Sequence, residues 1–285
     1  MPYSDLCRKK ILSEDYHDFI VSDIRMPFLQ DMLEKDCCLQ NPGFFYQCAY
    51  LSKSVIKPVS LENYSYFSIP KCYSLLSMQA LNQAGILPIQ NHSTIQLSGK
   101  QVMIGFLDTG IDYQNPVFQH LDKTTRIAGI WDQTIQSGTP PESFDYGSHY
   151  TPDMINEALA SEDPYSLVPS VDNNGHGTFL ASIAAGSGDP DAQFIGAAPE
   201  SVIAVVKLKQ AKQYLRDYYF IPNTAPAFQE NDIMLGMRYL HLLAEKLGLP
   251  LIFCLALGSN LGGHSGSLPL SIIAQQYTLL SNIYS

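Results

Sequence analysis

The run Val102-Met103-Ile104-Gly105-Phe106-Leu107 is almost continuously apolar and ends on Asp108-Thr109-Gly110-Ile111-Asp112. A short apolar stretch without polar alternation reads as a strand buried on both faces, the kind found in parallel sheets. Such a strand needs neighbours, and the sequence supplies two: Ser201 to Leu208, within the stretch from Ile195, and Leu251 to Ala256 are of the same type. Helical sequence separates them. Phe179-Leu180-Ala181-Ser182-Ile183-Ala184-Ala185 is small and apolar. Further on, Ile233, Met237, Leu240, Ala244 and Leu247 fall on one face of a helix that Asn231-Asp232 caps, Gly248 closes and Pro250 prevents from continuing. Strand, helix, strand, helix, strand predicts an α/β fold, a parallel sheet with helices on both faces.

In sheets of this type reactive groups collect at the carboxyl ends of strands, where Asp108 stands. The second polar feature is Asp172-Asn173-Asn174-Gly175-His176-Gly177-Thr178. Asn173, Asn174 and Thr178 are capping types, so this loop predicts a helix start with an imidazole at its mouth, uncovered because its neighbours are glycines. Taken alone, an acid at a strand end is more often a cap or turn residue, and a lone histidine a satisfied surface or core group. Together they match two parts of a nucleophilic triad. A buried acid holds the imidazole in one tautomer while the imidazole takes a proton from a hydroxyl.

The blocks Ile104-Gly105-Phe106-Leu107-Asp108-Thr109-Gly110-Ile111-Asp112, Asn174-Gly175-His176-Gly177-Thr178, Ile195-Gly196-Ala197-Ala198-Pro199 and Leu255-Ala256-Leu257-Gly258 together resemble the subtilisin-like serine proteases, the subtilases. The resemblance runs from about Gln101 to the end of the chain. Within the family the likeness is to a clostridial branch related to the Csp spore-germination proteases. It is carried by Thr125-Arg126-Ile127, Ile130-Trp131-Asp132-Gln133-Thr134-Ile135, Val168-Pro169-Ser170-Val171-Asp172, Val206-Lys207-Leu208-Lys209 and Asn231-Asp232-Ile233-Met234-Leu235-Gly236.

The resemblance implies a subtilisin-like parallel sheet, of which this chain holds the amino-terminal part, and a serine endopeptidase that hydrolyses peptide bonds. His176 would be general base and then general acid, and Asp108 its orienting carboxylate. Ala256-Leu257-Gly258 matches the family's Ser-Leu-Gly segment, whose backbone pairs with the bound peptide; Ala256 stands in place of the usual Ser. The family's Gly-Thr-Ser nucleophile block and Ala-Gly-Asn oxyanion block do not occur in residues 1–285. The chain therefore reads as the front part of a longer enzyme, with no hydrolytic activity alone.

Residues 89–285 are expected to form the catalytic domain, incomplete at its carboxyl end, and residues 1–88 an amino-terminal extension or prodomain-like region. In that extension Asp18 to Val21 reads as a strand, Pro27 to Leu33 as a helix and Phe44 to Leu51 as a strand. Cys72 to Ile86 reads as a helix followed by a strand. Ile127 to Asp132, which holds the single Trp, reads as a strand, Gly138 to Glu142 as a turn and Pro152 to Ala160 as a helix; these decorate the rim of the cleft. Gln210 to Gln229 reads as a looser aromatic loop, packed rather than ligand-binding. His264 reads as a loop residue.

Composition narrows the partners. With Lys+Arg 17 against Asp+Glu 27, a formal net charge of -10 and no basic cluster, neither nucleic acid nor an anionic membrane is an expected partner. The expected partners are a protein or peptide substrate and the prodomain or remaining carboxyl part of the same enzyme. The 6 cysteines show no Cys-x-x-Cys spacing, and the 7 histidines no His-Glu-x-x-His spacing. Free thiols in a reducing compartment, no metal and no cofactor are the expectations. No signal peptide is read at the amino terminus, which favours a cytoplasmic or spore-associated location.

Two rivals remain in view. An aspartic protease also uses Asp-Thr-Gly, but its shared-proton chemistry needs two such loops in a β-rich setting, and the glycine-flanked histidine would go unexplained. The alternative within the family is a catalytically inactive pseudoprotease acting as a binding or signalling module in spore germination.

Overall fold

The computed structural model describes residues 5–22, 37–75, 97–188, 195–259, 261–262 and 265–281. The first elements are α1 (Asp5–Leu12), β1 (Tyr16–Ser22), β2 (Cys37–Gly43), β3 (Tyr46–Ser52) and β4 (Cys72–Leu75). Then come β5 (Met103–Asp108), β6 (Ile127–Asp132), β7 (Ser148–Tyr150), α2 (Pro152–Leu159), α3 (Pro164–Leu167) and α4 (His176–Ala185). The last part holds β8 (Val202–Lys207), α5 (Gln213–Tyr218), β9 (Phe228–Gln229), α6 (Glu230–Leu247), β10 (Leu251–Cys254), β11 (Leu257–Gly258) and α7 (Pro269–Ser281).

The three apolar runs become neighbours. The central sheet has the order β10-β5-β8-β6-β7, parallel except for β7, which pairs antiparallel with β6 at the edge. Every residue of β5 is buried, as a strand covered on both faces requires. Alternate side chains go to opposite layers: Met103 and Leu107 join the cluster formed with Met234, Met237 and Leu240 of α6, whereas Ile104 and Phe106 join Ala181 and Ala185 of α4. Gly105 admits Leu240, whose Cδ1 would lie 2.7 Å from a Cβ there.

The amino-terminal part is a second sheet, antiparallel, in the order β1-β3-β2. One face joins the main core, where Ile20, Cys48 and Tyr50 pack in the same cluster as Leu107, Tyr239 and Tyr277; on the other, Phe19, Ala49 and Leu51 cluster with Ala211, Leu215 and Ala227. Three short strands, β11, β4 and β9, make a third sheet between the two parts.

Several sequence expectations are corrected. Cys72–Leu75 is strand, not helix: its residues are held by antiparallel partners far away in sequence, Phe228–Gln229 and Leu257–Gly258. The region from Gln210 to Gln229 contains α5 and β9, and its Tyr214, Tyr218 and Tyr219 pack against the core cluster that includes Phe19, Tyr64 and Leu215. Asn231 and Asp232 do not cap α6. They lie in its first turn, fully buried, and the capping position is Gln229. Leu247 is 45% exposed, because the last turn of α6 runs past the buried face. Cys7 and Cys38 are not free thiols: α1 packs on β2 and brings their Cα atoms to 5.4 Å, disulfide range, and they are bonded. The predicted helix at 27–33, the stretch 76–86 and His264 lie outside the described residues. No described helix is long and apolar enough to cross a membrane.

Candidate active site

β5 delivers Asp108 to the carboxyl edge of the sheet with its side chain 1% exposed. Its Oδ1 lies 2.8 Å from His176 Nδ1 and accepts a second bond, 2.7 Å, from the Thr109 N–H. His176 is the first residue of α4, and its side chain is 13% exposed. Burial pushes the Asp108 carboxyl above its usual range, and the hydrogen bonds from His176 and Thr109 oppose that shift.

Two glycines set this approach. Gly175, the N-cap of α4, is left-handed with φ 83, which turns the chain so that the ring faces Asp108. Gly177 lies against the turn after Asp108, where a Cβ would fall 2.2 Å from the Gly110 carbonyl oxygen. The cap itself is not Asn173 or Asn174. Asp172 accepts the Thr178 N–H at 2.8 Å, and the Gly177 N–H donates to Thr109 Oγ1 at 3.0 Å, so two orphan donors of the helix start are met by the loop before it and by the turn after Asp108. Asp172 was legible as a capping residue type; its distance from the helix start hid it.

A second buried pair supports the floor of the site. Lys207 sits opposite Asp108 in the β5-β8 register, yet its ammonium turns to Asp132 Oδ2 at 3.3 Å, which also accepts from Ser170 Oγ at 2.7 Å. Lys207 and Asp132 were both within quoted motifs, but nothing in their spacing pairs them.

Ala256 links β10 to β11, at the same edge of the sheet as Asp108, because β10 runs parallel to β5. Leu257 and Gly258 pair antiparallel with Leu75 and Ser74, so a strand from the chain's own amino-terminal part occupies this edge. Beside it is a cavity of about 400 Å³ lined by Tyr73, Tyr219, Ile221, Ala227 and Gly258. Among the described residues the one His/Cys/Asp/Glu group compact enough for a metal is Cys7, Cys38 and Asp145, which includes no site residue and whose cysteines are joined in a disulfide.

Residues 99–234, the span that holds both Asp108 and His176, match the model of the Subtilase family. This part of the chain is of the subtilase family. Among solved subtilases it is similar to the CspB protease of Clostridium perfringens, with 34% identity and a TM-score of 0.56 over 68% of this chain and 36% of that one. Among curated subtilases it is similar to the subtilisin-like proteases SBT2.2 and SBT2.1 of Arabidopsis thaliana. These are 32% identical over 131 residues and 30% over 132, in each case 39% of this chain and 15% of the relative. The chain thus spans well under half the length of each of these three relatives.

Proposed function

We propose that this chain supplies the acid and the base of a serine endopeptidase. The observation that carries the reading is the 2.8 Å hydrogen bond between His176 Nδ1 and an Asp108 buried at the end of the central strand. With Asp108 ionised, Nδ1–H donates to it, and Nε2 is the basic nitrogen. Nε2 takes the proton of a serine hydroxyl as that oxygen attacks the scissile carbonyl, then gives it to the departing amine. Asp108 holds the tautomer and stabilises the imidazolium, an interaction strengthened by its removal from water. The serine would come from sequence beyond residue 285.

The substrate is a protein or peptide, held by backbone pairing along Ala256, Leu257 and Gly258. In support, this edge already accepts an antiparallel strand, Ser74–Leu75. That strand also favours a prodomain-like role for residues 1–88, in which the extension covers the edge where substrate pairs.

The test is to express the protein from its gene read past codon 285 and treat it with a fluorophosphonate probe beside His176→Ala. Labelling that drops at least a hundredfold in the variant is the expected result, since loss of a triad member removes most of the rate. A full-length protein that never labels would replace the peptidase reading with that of a binding module.

A further inference from the structure

Asp172 has no part in the proton transfer proposed above, yet it is the most heavily bonded carboxylate near His176. Its Oδ1 accepts the N–H groups of Asn174 at 3.2 Å and Gly175 at 2.9 Å. Its Oδ2 accepts the N–H of Thr178 at 2.8 Å and the hydroxyl of Thr178 at 2.7 Å. Four donors from the histidine loop and the first turn of α4 converge on one side chain. These bonds favour the ionised form and hold the carboxyl below its usual range despite partial burial, which pushes the other way.

The Thr178 hydroxyl carries the link onward. While its O–H donates to Asp172, its oxygen accepts the backbone N–H of Asp112 at 2.8 Å. Asp112 lies four residues after Asp108, on the segment that leaves β5. The chain of bonds Asp172, Thr178, Asp112 therefore ties the element bearing the imidazole to the element bearing the acid, and Gly175 has no side chain to cap the helix in its place.

We infer that Asp172 is a positioning residue that fixes His176 in the tautomer and orientation bonded to Asp108. Ionised Asp172 holds the backbone on both sides of His176, at Asn174 and Gly175 before it and at Thr178 after it, while the Thr178 hydroxyl bonds onward to Asp112. The inference rests on reading His176 as the base, and its test is chosen to stand apart from hydrolysis.

The experiment is proton NMR of this 285-residue chain with nitrogen-labelled histidine, following the far-downfield Nδ1 proton of His176, assigned by its loss in His176→Ala. Asp172→Asn keeps the shape but puts an NH2 group where a carboxylate oxygen accepted. Thr178→Val removes the hydroxyl at similar volume, and Thr178→Ser retains it. The expected result is solvent exchange of the Nδ1 proton about tenfold faster in Asp172→Asn and Thr178→Val, the factor that accompanies loss of one hydrogen bond to a charged group. Thr178→Ser should match the parent, and far-UV circular dichroism should be unchanged in all three. Exchange at the parental rate in both Asp172→Asn and Thr178→Val would overturn the proposal, as would equal acceleration in Thr178→Ser. A parent chain without a downfield His176 proton would overturn it together with the Asp108–His176 pairing, whereas a failed fluorophosphonate reaction with this proton intact would count against the peptidase reading alone.

Discussion

Gly177 packs its α-carbon against the backbone of Gly110, so closely that a methyl group there would lie 2.2 Å from the Gly110 oxygen and 3.1 Å from its nitrogen. Neither neighbour is the end of a flexible side chain. Gly177→Ala must therefore push the start of α4 away from the acid turn, at a cost of about 1–3 kcal/mol as in other overpacked sites. It should also lengthen the Asp108–His176 bond. Gly175→Ala is the control: nothing lies within 4 Å of its Cβ, and the strain is only that of φ 83, about 1 kcal/mol. Urea unfolding of both variants, with the His176 downfield proton as local probe, should show that proton displaced far more in Gly177→Ala.

Asp18 and Lys212 form an ion pair across 194 residues, with side chains 1% and 4% exposed. Asp18 also accepts from Gln229 Nε2 and Asn231 Nδ2, and Lys212 donates to the Tyr16 carbonyl at 3.0 Å. Breaking such a buried pair from one side leaves a charge without its partner. Lys212→Met should cost about 3–5 kcal/mol, and the double variant Asp18→Leu/Lys212→Met clearly less than the sum of the two singles. A urea-denaturation cycle measures this, and additive losses would show the pair to be uncoupled.

What could be read from the sequence divides along the range of the forces. β5, β8 and β10 were legible because a continuous apolar run identifies a doubly covered strand without reference to its partners. Asp108 and His176 stood out through their glycine and threonine neighbours, although the bond between them spans 68 residues. β4, β9 and β11 were not legible: they are two to four residues long, and pairing with one another, not local propensity, makes them strands. Asn231 and Asp232 looked like caps because they are polar at a helix start. Their burial depends on partners from distant elements, Asp18 on β1, Lys209 just after β8 and Tyr146.

His17 stacks on Tyr214, ring centroids 3.9 Å apart, with both ring nitrogens buried and unbonded. Burial, helped by Lys53 and Lys212 and opposed by Asp18, lowers its pKa from 6.5 to about 4. Between these values the unfolded chain binds a proton that the folded chain does not, so stability is present above about pH 6.5 and falls as pH drops towards 4. Asp108, Glu230 and Asp232, whose pKa values burial raises, act in the opposite direction. The difference between the parent and His17→Phe isolates the histidine: Phe keeps the stack and has no proton to bind. The parent should lose stability relative to the variant as pH falls from 6.5 to 4 in thermal melts, and parallel curves would refute the assignment.

The carboxyl end of α4 is closed with no solvent-facing cap. Ser182 O accepts from Gly186 N, Ile183 O from Ala197 N and Ala184 O from Ala198 N. The fourth carbonyl, Ala185 O, accepts from Arg126 Nη1 at 2.7 Å, and the same guanidinium reaches Ser201 O at 2.6 Å and Val117 O at 3.3 Å. The Gly196-Ala197-Ala198 block is thus a helix terminator, and Arg126, 5% exposed, completes it. Arg126→Met would leave buried carbonyls without donors, at about 1–3 kcal/mol each. Arg126→Lys should recover only part, since an ammonium cannot reproduce the planar fork that spans separate carbonyls. The loss should appear as faster amide hydrogen exchange at Gly186, Ala197 and Ala198, while amides of β5 keep their protection. Equal exchange in Lys and parent would mean that one of the three bonds, not the fork, holds the helix end.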